Sequence, residues 1–304
     1  MRLSVSEFPE NLFSGLKQSN TDTISTEQET GHNVRFSSSL DVFSPDFMES
    51  PPPVLPEITE VPLPSFSGDE AVNLYYAANV QPDISALLQK PLQWDLAGEE
   101  PSVLILHTHA TESYSRRGEN YKETSAWRTL DTDYNMLALG EVVSGILEEH
   151  DIPVIHDESL HDYPSYSGSY TRARKSLQQL LQAHPGIRLV LDLHRDASGG
   201  EEGQMRTRAD VEGETSAQLM VVIGTNHENY EENLSLGLKL HALLEQRSPG
   251  IMRPLQLRGQ RFNQDLNPGA LLIEIGAAGN SHGEARLAAE QLAEAIVCIA
   301  KGTQ

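Results

Sequence analysis

Side chains that can act as acids, bases or metal ligands follow or interrupt three strongly apolar segments of this sequence, 103–106, 189–193 and 270–275. The polar residues at these points are His107, His109 and Glu112 after the first segment, Asp192, His194, Arg195 and Asp196 in and after the second, and Glu274 within the third. A carboxylate between leucine and isoleucine side chains is costly to bury unless it is paired, hydrogen-bonded or bound to a metal. These residues therefore indicate a polar site.

Imidazole and carboxylate groups without cysteine form the ligand set of hydrolytic zinc sites, which use three protein ligands and leave a fourth position open. Each motif alone has an ordinary structural interpretation: a buried structural histidine for His107 or His109, a capping acid for Glu112, and an ion-pair network for 194–196. Three such motifs at the ends of strands in one domain favour a metal site.

The elements that would position these residues are strands and helices that alternate from Pro101 onward. The pattern predicts strands at 103–106, 152–155, 189–193, 204–211, 218–223 and 270–275, and helices at 131–149, 169–184, 230–246 and 284–301. Asp131 or Thr132 is expected to cap the first helix. This alternation predicts an α/β fold with a mostly parallel sheet and helices on both faces. Ligand sites of such sheets lie beyond the carboxyl ends of the strands.

The first part of the chain has a different composition. Residues 1–66 are rich in serine, threonine, proline and acidic residues, and they predict a disordered acidic tail in which 6–17 can form a short helix. Residues 67–304 are predicted to form one catalytic domain with its core at about 101–302. Within it, 70–92 are expected to pack against the core as a lead-in.

Charge and composition exclude several classes of function. The 304 residues carry a formal net charge of −22 and no basic cluster, which argues against binding to nucleic acid or anionic lipid. A single cysteine excludes an intramolecular disulfide framework and a cysteine-rich zinc module. The longest apolar run, 269–279, is short of the roughly 20 residues that span a bilayer, and no membrane anchor or signal peptide is visible in this sequence.

Six segments together resemble the stage II sporulation protein P family of spore-forming bacteria: 103–114, 161–170, 191–197, 262–266, 268–274 and 276–280. They cover about residues 70–302 in the family's order and spacing. The resemblance implies a fold similar to the zinc-dependent N-acetylmuramoyl-L-alanine amidases, with Zn²⁺ as cofactor. It also implies degradation of peptidoglycan during engulfment of the forespore, by cleavage of the muramic acid–L-alanine amide and of peptide cross-links.

The same resemblance implies roles for individual residues. His109 and His194 occupy the positions of two zinc ligands, and Glu274 that of the catalytic acid. The carboxylate ligand is either Glu112, which follows His109 closely and is favoured, or Asp131, which stands where the amidases place their glutamate. The remaining expected roles are substrate binding by His107, Arg195, Asn263 and Gln264, and orientation of His194 or Arg195 by Asp196.

Partners and location also follow from the resemblance. It implies peptidoglycan, a glycan strand with its stem peptide, as the substrate and the stage II sporulation proteins D and M as partners. It places the protein on the extracytoplasmic side of the cell membrane at the sporulation septum. Two other classes of function remain: a zinc metallopeptidase that acts on proteins, and a non-catalytic wall-binding protein on the same fold. The complete set of His109, His194 and Glu274 argues against the second.

Overall fold

The structure of the chain is a computed structural model that describes residues 72–92, 96, 98–116, 127–197, 199–200 and 203–302. All of these lie in one compact unit, Pro56–Gln304. The predicted tail at 1–66 and its short helix at 6–17 lie outside the described residues, so the domain boundary stays a prediction. Among the residues described, no helix is long and apolar enough to cross a bilayer.

The described residues of the domain form eleven strands, five α-helices and one 3₁₀ turn. The strands are β1 (Leu74–Tyr76), β2 (Val103–Leu106), β3 (Val154–His156), β4 (Leu189–Asp196), β5 (Gly199–Gly200), β6 (Gly203–Gln204), β7 (Ala209–Val211), β8 (Glu214–Ser216), β9 (Leu219–Gly224), β10 (Leu255–Arg258) and β11 (Ala270–Ala277). The helices are α1 (Ile84–Gln89), α2 (Met136–Glu149), α3 (Ser169–Ala183), α4 (Tyr230–Arg247) and α5 (His282–Gly302), and the 3₁₀ turn is Gln264–Leu266.

Seven strands form the main sheet, in the order β1-β10-β9-β11-β4-β2-β3. Strands β11, β4, β2 and β3 are parallel to one another, whereas β9 is antiparallel to β11. The pairs β9–β10 and β10–β1 are again parallel. The carboxyl ends of β2, β4 and β11 therefore meet at one end of the sheet. The predicted α/β fold with a mostly parallel sheet is confirmed.

Apolar side chains cover both faces of the central strands because successive residues of a strand point to opposite sides. On one face, Val103, Ile105, Leu191 and Ile273 belong to a core shared with α2, α4 and α5. On the other face, which we call the α3 face, Leu104, Leu106 and Val190 pack with Ala173 and Leu177 of α3. Helices on both sides thus hold the strand ends in place.

Two predicted elements differ from the observed ones. Helix α2 begins at Met136 instead of 131, because Asp131 starts a turn and the side chain of Asn135 accepts a hydrogen bond from the Leu137 N–H at 2.9 Å as the helix cap. The long strand predicted at 204–211 is divided between two short hairpins, β5–β6 and β7–β8. Glu212 and Gly213 both have positive φ angles, which suits a tight turn between paired strands.

Candidate active site

The turn after β2 carries His109, and Asp192 of β4 holds this turn. The backbone N–H of Thr108 donates to Asp192 Oδ1 at 2.8 Å, and its hydroxyl donates to Oδ2 at 2.6 Å. The buried Asp192 carboxylate thus has two donors, and it joins the ends of β2 and β4.

His194 lies between two carboxylates. Its Nε2 is 2.9 Å from Asp192 Oδ1, and its Nδ1 is 3.7 Å from Glu112 Oε2. Burial alone would lower the pKa of His194, but the two carboxylates outweigh burial and raise this pKa well above its usual value. The arrangement therefore favours a positive charge at this point.

His109 approaches His194 with its ring nearly perpendicular, and the two ring centroids are 5.2 Å apart. Its Nδ1 is buried and has no hydrogen-bond partner among the described residues. Burial lowers the pKa of His109 to about 4, although Glu112 opposes this. His109 is therefore neutral near pH 7.

Glu112 is a buried, ionised carboxylate. Its Oε2 accepts from the backbone N–H of Arg195 at 3.3 Å, and its Oε1 is 3.5 Å from Arg128 Nη2. Burial alone would raise the pKa of Glu112, but Arg195 and His194 outweigh it and lower the pKa to about 2. Of the two carboxylates expected as alternatives at the site, the structure brings Glu112 to the histidines.

Asp131 is not brought to this cluster, which corrects its place as the alternative ligand. Its side chain is 49% exposed and lies 3.7 Å from Arg116 Nη2. The cause is the later start of α2, which leaves Asp131 in the turn before the helix.

Glu274 faces the same site from β11. Its Oε2 is shielded from solvent and has no hydrogen-bond partner among the described residues. Burial, together with the charge of Glu112, raises the pKa of Glu274 to about 8, although His194 opposes this. The structure therefore holds a carboxyl group whose pKa is raised towards neutral pH and whose Oε2 has no hydrogen-bond partner among the described residues.

His107 lies on the opposite face of the sheet, so its expected contact with substrate is corrected. It continues the alternation of Val103 and Ile105 towards α2 and is fully buried. Its Nδ1 is 3.2 Å from the Leu193 carbonyl oxygen, and its Nε2 is 2.8 Å from His156 Nε2. Both ring nitrogens are therefore engaged inside the protein.

Arg195 and Asp196 stabilise loops instead of facing an open site. The Arg195 guanidinium donates to the backbone carbonyls of Ser113 and Trp127, at 3.1 and 3.0 Å. Asp196 Oδ2 accepts from Arg253 Nη1 at 2.7 Å. The carboxylate beside His194 is Asp192, and the role expected of Asp196 in orienting His194 or Arg195 stays a prediction.

The Asn263–Gln264 pair makes contacts with the backbone. Gln264 is buried, accepts from the Gly224 N–H at 2.7 Å and donates to the Val222 carbonyl at 2.8 Å. Asn263 donates to the Tyr170 carbonyl at 2.9 Å. These contacts fix the loop before β11, and the expected role of both residues as substrate donors stays a prediction.

Sequence reasoning assigned no role to the loop at 161–170, which covers His109. Asp162 accepts from the N–H and hydroxyl of Thr111 and from Arg128 Nη1, the last at 2.8 Å. Tyr166, which is 57% exposed, stacks on the His109 ring at 4.5 Å, and the Arg128 guanidinium lies 4.3 Å from the Tyr166 ring centroid. The signal in the sequence was the closely spaced tyrosines at 163, 166 and 170.

Two solved structures of amidases are among those to which the chain is similar. N-acetylmuramoyl-L-alanine amidase AmiC2 of Nostoc punctiforme is 13% identical, with a TM-score of 0.40, and the match covers 67% of this chain and 97% of that one. The N-acetylmuramyl-L-alanine amidase Ami1 of Mycobacterium abscessus is 14% identical, with a TM-score of 0.41, over 67% of this chain and 99% of that one.

Two comparisons of sequence concern the family. The stage II sporulation protein P of Bacillus subtilis strain 168 is 28% identical over 217 residues, which are 68% of this chain and 53% of that protein. The chain thus matches about half the length of this relative. The sequence model of the stage II sporulation protein P family matches residues 14–297, nearly the whole chain. The chain therefore belongs to the stage II sporulation protein P family.

Proposed function

We propose that the chain is a zinc-dependent peptidoglycan hydrolase of sporulation that cleaves the N-acetylmuramoyl-L-alanine amide bond. The observation that carries this proposal is the meeting of His109, His194 and Glu112 with Glu274 at one end of the sheet. The Oε2 of Glu274 has no hydrogen-bond partner among the described residues. Membership of the family supports the link to sporulation and to the cell wall.

The types of donor fit zinc, whereas the ligand atoms of His109, Glu112 and His194 do not all lie within 4.8 Å of one another in this structure. Two imidazoles and one carboxylate are a set that zinc uses in hydrolytic sites. The buried Nδ1 of His109 has no partner among the residues described, and the Nδ1 of His194 faces Glu112. Asp192, beside the other nitrogen of His194, would fix the orientation of that ring, as carboxylates do for metal-bound histidines.

When bound, zinc supplies Lewis-acid chemistry, which polarises a carbonyl group and lowers the pKa of water. Glu274 supplies the proton transfers. Its carboxylate takes a proton from the attacking water and then gives that proton to the nitrogen of the leaving amine. A group with a pKa near the working pH suits both steps, and the apolar surroundings of Glu274 move its pKa in that direction.

The exposed ring of Tyr166 offers a surface for the substrate next to His109. It is held by stacking on His109 and by the Arg128 guanidinium, and Arg128 is in turn paired with Asp162. We propose that Tyr166 packs against the sugar ring or stem peptide beside the scissile amide. It takes the place of the substrate contact expected from His107.

The test is mass spectrometry of the fragments released from purified sacculi, with and without a chelator. Release of intact stem peptides with free L-alanine amino groups, abolished by the chelator and restored by Zn²⁺, is the expected result. Cleaved cross-links would demonstrate the second activity that the family resemblance implies. The interaction with the stage II sporulation proteins D and M and the septal location stay predictions.

The same preparation separates the two competing classes of function. A zinc metallopeptidase would cleave a panel of protein substrates and leave sacculi intact. A non-catalytic wall-binding protein would sediment with sacculi but release nothing. Either result would contradict the proposed amidase.

A further inference from the structure

A second group of imidazole and carboxylate side chains lies at the carboxyl end of the edge strand β3. It consists of Glu141 on α2, His156 at the end of β3, and Glu158 two residues later. One ligand atom from each residue lies within 4.8 Å of the other two. None of these residues belongs to the site of His109 and His194.

The protonation of the His156 ring follows from its neighbours. His107 Nδ1 lies 3.2 Å from the Leu193 carbonyl, and a carbonyl only accepts, so Nδ1 of His107 carries the hydrogen. In the neutral His107 ring, Nε2 is then an acceptor. His156 Nε2, 2.8 Å away, must be the donor in this pair.

The remaining nitrogen of His156 therefore presents a lone pair. This Nδ1 is buried and has no hydrogen-bond partner among the described residues, and the His156 side chain is only 9% exposed. It lies 4.0 Å from Glu141 Oε2. The Nδ1 lone pair of His156 and the carboxylates of Glu141 and Glu158 can only accept hydrogen bonds. The three groups therefore need a cation or a hydrogen-bond donor as their partner.

Among the residues that the structure describes, we find no other side chain that supplies this partner. Within the part of the chain that the structure describes, no lysine or arginine forms an ion pair with Glu141 or Glu158. A proton on His156 Nδ1 would be the alternative. Burial lowers the pKa of His156, although Glu158 and Glu141 oppose this, and the neutral ring is thereby favoured.

We propose that Glu141, His156 and Glu158 bind a divalent transition-metal ion, zinc or manganese, at a site separate from the hydrolytic one. Imidazole and carboxylate are ligands that both ions accept. His107 would be the partner that orients the ligating ring through its other nitrogen, a role that a carbonyl or carboxylate often has. Gly140 makes room for this pair, because a Cβ there would lie 2.6 Å from His107 Nε2.

The proposed ion would join α2 to the edge of the sheet. Glu141 lies on the exposed side of α2, whereas His156 and Glu158 lie at and after the end of β3. The chain of contacts continues from His156 through His107 to the carbonyl of Leu193, the residue between Asp192 and His194. The second site is therefore linked to the strand that carries the catalytic histidine.

The test is the number of Zn²⁺ ions bound per full-length chain, measured by equilibrium dialysis, with a parallel titration by Mn²⁺. The wild-type protein should bind two Zn²⁺ ions. Glu141→Gln and Glu158→Gln should each bind one tightly and weaken the other roughly 100-fold or more, beyond the effect of losing an outer partner. Glu148→Gln, an exposed residue of the same helix, should bind two as the matched control.

The outcomes also separate this proposal from the proposed hydrolytic zinc. Loss of one ion in His194→Ala but not in Glu141→Gln would overturn the second site and leave the first. Loss of one ion in Glu141→Gln but not in His194→Ala would support the second site and contradict the proposed hydrolytic zinc. A melting temperature measured for each variant shows that it is folded, and unchanged Zn²⁺ and Mn²⁺ affinity in both glutamine variants would end the proposal.

Discussion

Glu274 lies directly opposite His194 in the parallel pairing of β11 with β4. Because the two side chains extend from paired positions, they share the α3 face of the sheet, where Tyr170 of α3 stacks on the His194 ring with the ring centroids 6.4 Å apart. One of these groups has an unpartnered oxygen and the other lies between two carboxylates. The strand pairing therefore places the carboxyl group of Glu274 beside His194, where the two carboxylates favour a positive charge.

Replacement of Glu274 by glutamine should separate chemistry from metal binding. Glutamine is nearly isosteric, so the fold and the bound zinc should remain, whereas turnover on sacculi should fall roughly a hundredfold or more because the proton-transfer group is lost. Zinc content, melting temperature and fragment release are measured on the same preparation, with the exposed Glu228→Gln as control. A zinc-loaded and fully active variant would end this assignment.

The same variant should show a pH-dependent gain in stability when the protein is metal-free. The Glu274 carboxyl has a pKa of about 8 in the folded state against 4.5 as its ordinary value. Between these values the unfolded chain releases a proton that the folded chain keeps, so rising pH favours unfolding of the wild type. In urea unfolding with chelator, the free energy of unfolding of Glu274→Gln should rise relative to that of the wild type between pH 5 and 8. The rise should be at most roughly 1.4 kcal/mol per unit of pKa difference. If the free energies of unfolding of the variant and the wild type changed with pH in parallel, the raised pKa of a buried Glu274 would be contradicted.

Zinc binding should depend on His109, His194 and Glu112. His109→Ala and His194→Ala should each lose the hydrolytic zinc and all measurable hydrolysis, because two remaining ligands hold the ion weakly. Glu112→Gln should also lose the hydrolytic zinc and the hydrolysis. Asp131→Asn is the matched control and should keep both the zinc and the hydrolysis. Atomic absorption and fragment release are the measurements. Full occupancy in Glu112→Gln, or loss in Asp131→Asn, would reverse the choice of carboxylate.

Two glycines of α2 should respond to alanine in opposite directions. In a helix interior this substitution normally stabilises by about 1 kcal/mol, and Gly145→Ala should do so because nothing lies within 4 Å of its added Cβ. Gly140→Ala should instead cost about 1–3 kcal/mol, since its Cβ would press on His107 and His156. Urea unfolding of both variants is the measurement. An equal gain in stability in both variants would show that His107 and His156 move away from the added Cβ without cost.

Gln264→Ala should destabilise the protein without changing its chemistry. The substitution leaves the N–H of Gly224 and the carbonyl of Val222 without their partner, at roughly 1–3 kcal/mol for each buried group. Turnover per folded molecule should stay close to that of the wild type. Unfolding in urea and fragment release together make the comparison. A stable variant with a raised KM would support the substrate-binding role expected of Gln264.

Much of the site was predictable because its residues stand at the ends of strands. An apolar run followed by histidine identifies the end of β2 and of β4, and the glutamate within β11 is conspicuous among leucine and isoleucine. Parallel strands bring such ends together whatever the details of packing. The convergence of the three strand ends that carry His109, His194 and Glu274 follows from this rule.

What the sequence could not supply is the direction of side chains where regular structure stops. Alternation along β2 predicts His107 and His109 on one side, but the turn at 108–111 breaks the alternation and sends them to opposite faces. The roles of Asp192 and Asp196 depend in the same way on partners remote in sequence, Thr108 and Arg253. Such contacts are set by tertiary packing.

The connection between β4 and β9 starts and ends at the same end of the sheet, because β9 runs antiparallel to the β11–β4 pair. Such a connection needs no helix to cross the sheet, unlike one between parallel strands. Its hairpins, β5–β6 and β7–β8, stay outside the main sheet, and Asn280 holds the segment by donating to the Thr207 carbonyl at 2.7 Å. For protein engineering this is a grafting point: hairpins from other members of the family can be exchanged here, with Thr207 and Asn280 retained, while the main sheet stays constant.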